Sequence, residues 1–340
     1  MEIGIIGLPQ SGKSTVFEIM TRVVSRGIHD PLVRGQATII DGRLTHIAKS
    51  FSSRSIVYAK IPCVDVNATG EKSWEMLRQH LSAANGIIHV VDAFTDNSIK
   101  EITAKCKKIK DEMIFSDLVI ASARLEKLAK MSKVAMKRID AVQAKVLPEV
   151  VNHLEEGKPL TELSIDEEEK YALKSFSFWS IKPQLVIINI AESDIGNEAM
   201  ENIIAGAPTI TCCAKTELEL MSLPEEERIE FMGDLGIAQT AFGRLVEQAF
   251  SLLDQMCFFT AGEKESRAWI TATRSKAPQA ASVIHKDFER GFIKAEVVSY
   301  QDFLENGSSM ARVKEVGKFR LEGKDYTVQE ADIITFRFNV

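Results

Sequence analysis

Apolar residues fall along the chain in short runs, among them residues 2–7, 86–91, 184–189 and 207–213. Runs of this length, rich in Ile and Val and bounded by polar or turn-forming residues, predict buried strands. Residues 55–66 alternate less cleanly and read as a further strand, edge or central. Residues 11–22 are helix-compatible, so the chain opens as strand, loop, helix. Strands separated by helical stretches are expected to build a mostly parallel sheet covered on both faces, an α/β fold.

The pattern changes after Asp117. Leu118, Leu125, Ile139 and Val146 lie on one seven-residue series, and Ala121, Leu128, Ala135 and Val142 on another. Arg124, Lys127, Lys130, Lys133, Lys137 and Arg138 fill the gaps. This spacing predicts a helical, partly coiled-coil insertion over residues 118–180, weakened at Ser132 and bounded or kinked at Pro148. Gly157-Lys158-Pro159 is a stop signal, and Ser164 with Glu167 three residues on predicts a capped helix start. Strand-like sequence resumes at Pro183, so the insertion divides one domain into residues 1–117 and 181–256. From Cys257 onward, β-type runs at 269–273, 292–297, 325–328 and 333–338 accompany one helix expected over 277–290, with Pro278 in its first turn. They predict a small α+β domain over residues 257–340.

Composition narrows the function classes. At 45% hydrophobic and 26% charged residues the chain of 340 residues is an ordinary globular one. Its 42 basic and 48 acidic side chains give a net charge of −6, which argues against wholesale wrapping of nucleic acid while leaving room for local basic faces. The five cysteines are scattered, without C-x-x-C spacing, and read as reduced buried thiols rather than disulfides or a zinc site. No stretch of about 18 apolar residues occurs. Met1 leads directly into a strand-like run, so no membrane partner and a cytoplasmic location are expected.

The most informative segment is Gly7-Leu8-Pro9-Gln10-Ser11-Gly12-Lys13-Ser14, followed by Thr15, which matches G-x-x-x-x-G-K-[ST] between a predicted strand and a predicted helix. Gly7 and Gly12 permit the dihedrals that turn successive N–H groups toward phosphate oxygens, and the helix N-terminus faces the same anion. Lys13 is expected to bridge the β- and γ-phosphates and to stabilise transition-state charge, and Ser14 to ligate Mg²⁺. Asp65, at the end of a strand, is the best second carboxylate for Mg²⁺. Asp92 competes for that role but reads as a helix cap for residue 97 onward, and His89 as a satisfied core histidine. After the strand at 184–189, Asn189-Ile190-Ala191-Glu192 stands where a guanine-reading Asn-Lys-x-Asp motif would end in Asp. The changed carboxylate position makes adenine a plausible base. Cys213-Ala214-Lys215 resembles a base-flanking Ser-Ala-Lys loop.

Together these residues resemble the YchF-type Obg-like ATPases, translation-factor-related P-loop NTPases. The likeness extends through Asp41-Gly42-Arg43-Leu44, residues 87–91 and 153–160, and Gly233-Asp234-Leu235-Gly236. It continues in the C-terminal block from Phe259-Thr260-Ala261-Gly262-Glu263-Lys264-Glu265 to the closing Phe336-Arg337-Phe338-Asn339-Val340. The resemblance implies a Rossmann-like G domain, the helical coiled-coil insertion and a ubiquitin-like TGS domain. It also implies ATP preferred over GTP, slow hydrolysis with Mg²⁺, and association with ribosomes. By carry-over, Lys13, Ser14 and Asp65 serve phosphate and Mg²⁺, while Asn189 and Glu192, with Ala214 and Lys215, serve the base.

Departures from the pattern bear on hydrolysis. Where the family carries Asp-Ile-Ala-Gly-Leu, this chain has Asp65-Val66-Asn67-Ala68-Thr69, with Ala68 at the position of a γ-phosphate-sensing Gly. Residues 29–35 lack an obvious first-switch Thr, and no glutamine stands ready to orient a water. Nucleotide binding is expected to survive with weak or absent hydrolysis and with no general base identified. A nucleotide-gated adaptor on ribosome or RNA, using the basic insertion and the C-terminal Arg312, Lys314, Lys318, Arg320 and Lys324, is the alternative. A GTP switch ranks third.

Overall fold

The structure, a computed structural model, describes residues 2–25, 32–67, 73–132, 136–197, 200, 203–204, 206–237 and 239–339. Twelve strands are described: β1 (Ile3–Gly7), β2 (Leu32–Ile39), β3 (Ser55–Val57), β4 (Ala59–Val66), β5 (Gly86–Asp92), β6 (Gln184–Asn189), β7 (Thr209–Cys212), β8 (Gln255–Thr260), β9 (Glu265–Ala272), β10 (Phe292–Ser299), β11 (Arg320–Glu322) and β12 (Asp332–Phe338). The helices that matter below are α1 (Lys13–Thr21), α2 (Gly42–Ser50), α3 (Ser73–Leu81), α4 (Ile99–Ala129), α5 (Arg138–Glu155), α6 (Glu167–Leu173), α7 (Ala214–Ser222), α8 (Glu225–Asp234), α9 (Ala241–Leu252), α10 (Ala277–Ile284) and α11 (Lys286–Arg290).

The chain divides into two compact units, residues 1–36 with 62–248, and residues 37–61 with 249–340. The first is the α/β domain. Its sheet runs β2-β4-β1-β5-β6-β7, and the β1–β4, β1–β5, β5–β6 and β6–β7 ladders are parallel. The central strands β1, β5 and β6 carry nearly unbroken buried Ile and Val, as a sheet covered on both faces requires.

Helix α4 begins well before the heptads that mark its far half. Its first turns present Ile102 and Cys106, then Ile109 and Met113, to cores shared with strands of the sheet. Farther along, Ile114, Ala121 and Leu128 pack with Val146, Leu147, Val150 and Leu154 of α5. One helix thus serves two partners in succession. The heptad series is uneven within α5: Ile139, in its first turn, is exposed, while Val146, two turns on, is buried in the core shared with α4. Pro148 sits inside α5 without ending it. The capping box before α6 is Asp166 with Glu169, two residues beyond the predicted pair; Asp is as good an N-cap as Ser.

The second unit holds the sheet β11-β10-β12-β8-β9-β3, of mixed direction. Residues 37–61, read from sequence as part of the N-terminal domain, contribute α2 and β3 to it. The predicted strand over 55–66 is in fact two, β3 in this sheet and β4 in the first. Ser53, just ahead of β3, helps seat that strand beside β9 by bonding the Gly262 carbonyl at 2.7 Å and Ser266 Oγ at 2.8 Å. The helix expected over 277–290 breaks into α10 and α11 at His285, whose backbone is extended. Residues 325–328 form no strand, only an isolated bridge between Thr327 and Lys276.

Candidate nucleotide site

The phosphate loop joins β1 to α1. Gln10 (φ 64°) and Gly12 (φ 90°) both adopt left-handed backbone, the alternation that points consecutive amides into one concavity. A side chain at Gly7 would meet Ser11 Oγ and the Val90 carbonyl at 2.5 Å, and one at Gly12 would strike the Asn189 amide. Pro9 and Gln10 are exposed at the crest of the loop, Ser11 is buried beneath it, and Thr15 lies half-buried in the first turn of α1. That helix opens with no side-chain cap and no acidic residue in its first turn, leaving its positive end for an anion.

Five side chains meet behind the loop. Ser14 Oγ lies 2.9 Å from Asp65 Oδ2, and Lys13 Nζ lies 3.4 Å from Asp65 Oδ1. Asp65 is fully buried at the end of β4. Asn67, two residues on, accepts from Lys13 Nζ at 2.5 Å and from Ser14 Oγ at 3.1 Å. Ser25 completes the group, donating to Asp65 Oδ2 at 3.1 Å and accepting from Asn67 Nδ2 at 3.1 Å. The sequence reading brought Lys13, Ser14 and Asp65 together and missed Asn67 and Ser25. Asn67 stands at the Ala position of the Asp-Ile-Ala-Gly-Leu pattern, which carries no polar role, and Ser25 lies outside the motifs.

Residues present fit Mg²⁺ and a polyphosphate. Asp65 Oδ1 is buried without a hydrogen bond and is offset by its ion pair with Lys13 Nζ at 3.4 Å, which leaves it acceptor capacity for a metal-bound water. A serine hydroxyl and one carboxylate are a partial oxygen set of the kind Mg²⁺ completes with phosphate oxygens and water. Among the described residues no three His, Cys, Asp or Glu side chains form a cage of their own, so the metal would come with its phosphates.

On the base side, Asn189 ends β6 with its carboxamide buried and committed. Its Nδ2 donates to the Ser11 carbonyl and its Oδ1 accepts from Ala214 N, each at 3.0 Å. Glu192, in a short turn after β6, and Lys215, in the first turn of α7, are both exposed, while Ala214 is buried. Asp92 is held by Lys105 at 2.7 Å and accepts from Thr95 at 3.0 Å; the N-cap of α4 is Ser98 instead. His89 is buried in β5, and burial pushes its imidazole down to about 4, which keeps it neutral and structural. The five cysteines are reduced and buried, and burial pushes Cys106 and Cys257 up to about 12. Residues 29–31 of the first-switch segment, Ala68 with the rest of residues 68–72, and Lys133 and Ala135 of the insertion lie outside the described residues. Among the described residues no helix is long and apolar enough to cross a membrane.

Comparison with known proteins bears on this site. The family model YchF-GTPase_C, described as a protein of unknown function (DUF933), matches residues 255–339. The chain is 35% identical over 364 residues to the ribosome-binding ATPase YchF of Bacillus subtilis, with 99% of each chain covered. It is 34% identical over 361 residues to the protein of the same description from Haemophilus influenzae, and 33% over 363 residues to that of Escherichia coli O157:H7, again covering 99% of each. Among solved structures, the Schizosaccharomyces pombe YchF GTPase shares the fold with a TM-score of 0.85 at 24% identity, covering 99% of this chain and 97% of its own.

Proposed function

This chain belongs to the YchF family, and from that premise we propose that it is a nucleotide-binding switch that prefers ATP to GTP, hydrolyses it slowly with Mg²⁺ and works in association with the ribosome in the cytoplasm. The observation that carries the reading is the convergence of Lys13, Ser14 and Asp65 at the mouth of an uncapped helix behind a glycine-permitted loop. Family membership supports the ribosome as partner, through the helical insertion and a C-terminal domain of TGS type.

Lys13 supplies the charge that holds the phosphate tail, Ser14 and Asp65 would hold the metal between them, and the loop amides orient the phosphates. Mg²⁺, when bound, neutralises charge on the phosphate oxygens. Slow turnover follows from the residues available to direct water: residues 68–72 read Ala-Thr-Gly-Glu-Lys, without glutamine. Asn189 supports base selection indirectly by tying the loop at Ala214 to the phosphate loop, and Glu192 stands free to read the base edge. Adenine preference rests on that Asn-x-x-Glu spacing.

The second reading, an adaptor that binds without hydrolysing, is favoured by Ala68 in the sequence position where the family pattern has a γ-phosphate-sensing Gly. Single-turnover phosphate release from ATP by the wild type and by Lys13→Ala, with GTP competing against labelled ATP, separates the readings. A slow wild-type rate above that of the variant, with GTP a poor competitor, is expected. Equal rates would leave the adaptor, and efficient competition by GTP would make the protein a GTP switch.

A further inference from the structure

Lys13 Nζ and Ser14 Oγ, the two groups the proposed function assigns to phosphate oxygen and to Mg²⁺, both bond a single oxygen of the chain itself, Asn67 Oδ1, at 2.5 and 3.1 Å. We propose that Asn67 is an affinity-setting positioning residue that competes with the nucleotide for Lys13 and Ser14, so that binding requires its carboxamide to be displaced. This rests on the nucleotide-binding reading above and adds a residue that governs how tightly that site fills.

Stereochemistry makes the competition direct. The Ser14 hydroxyl has one proton, and Asp65 Oδ2 at 2.9 Å is its other acceptor. A serine whose oxygen faces a metal gives that proton to Asp65 and gives up Asn67. Lys13 likewise exchanges a neutral amide oxygen for an anionic one, which it prefers. The carboxamide is also tethered at its far end, where Nδ2 donates to Ser25 Oγ at 3.1 Å, and Ser25 in turn donates to Asp65 at 3.1 Å. Asn67 is thus held over the lysine, and its release also breaks its bond to Ser25.

The test is calorimetric titration of the full chain with ATP and with ADP, Mg²⁺ present, for wild type, Asn67→Ala and Asn67→Asp, alongside thermal melting without nucleotide. Removing one charge-assisted hydrogen bond from the competitor is expected to tighten both nucleotides about tenfold in Asn67→Ala. The same variant should melt at a lower temperature without nucleotide, because it has lost contacts. Asn67→Asp, nearly isosteric, should bind both nucleotides more weakly than wild type, since a carboxylate holds Lys13 harder and repels phosphate. A residue with a merely structural role would lower stability and affinity together. Wild-type binding with Asn67→Ala equal to it or weaker would overturn the proposal while leaving the nucleotide reading intact. No binding by wild type or either variant would overturn both.

Discussion

Asn189 Nδ2 donates to the carbonyl of Ser11 at 3.0 Å, fastening the end of β6 to the phosphate loop. The same carboxamide accepts from Ala214 N, so one buried side chain holds the phosphate and base sides of the site in register. One N–H and the oxygen of that carboxamide are committed within the protein, whereas the Glu192 carboxylate is exposed.

Asn189→Ala should therefore weaken ATP and GTP by the same factor, about tenfold or more for two lost buried hydrogen bonds worth roughly 1 kcal/mol each. Glu192→Gln should change the ratio between the two nucleotides instead. Competitive titration of both variants checks this; a changed ratio in Asn189→Ala would show that the amide reads the base itself.

The root of the helical insertion offers a stability prediction. The buried Asp117 carboxylate accepts from Trp179 N at 3.0 Å, Ser180 N at 2.7 Å and Arg78 Nη2 at 2.6 Å, clasping the outgoing and returning chains to α3. Asp117→Ala removes the carboxylate from a part-buried guanidinium, leaves two amides without their acceptor, and should cost roughly 3–5 kcal/mol, as breaking a buried ion pair does. Urea unfolding measures it, and a loss below about 1 kcal/mol would refute the clasp.

His89 gives a pH prediction. Its imidazole lies in β5 between Ile6 of β1 and Val186 of β6, and burial lowers it from 6.5 to about 4. The unfolded chain therefore binds a proton between these values that the folded chain does not. Stability from this group is complete above about pH 6.5 and is lost progressively as pH falls toward 4, by up to roughly 3 kcal/mol. Urea midpoints from pH 7 to 4.5 should fall less steeply for His89→Gln than for wild type; parallel slopes would assign acid sensitivity elsewhere.

What could be read before the fold was known follows the range of the forces involved. The phosphate loop was legible because its chemistry demands fixed residue types at fixed spacing, and β1, β5 and β6 because strands buried on both faces are continuous apolar runs. Membership of β3 was not, since Ser55–Val57 pairs with Glu265–Arg267, more than two hundred residues away, and local pattern says nothing of partners. The heptads on α4 marked where it meets α5 but not where it begins, because its first turns pack on the sheet with a different face. Asn67 escaped notice for a related reason. Its role is set by where β4 ends relative to Lys13, a relation no spacing within either segment records.

The central claim is that Lys13 and the loop around it capture a nucleotide's phosphates. Calorimetric titration of purified wild type and Lys13→Ala with ATP and Mg²⁺ tests it most directly. Saturable one-to-one binding by wild type, weakened at least a hundredfold in Lys13→Ala, or about 3 kcal/mol, is the predicted result. Equal heats for the two proteins, or no binding by wild type at millimolar ATP, would contradict it.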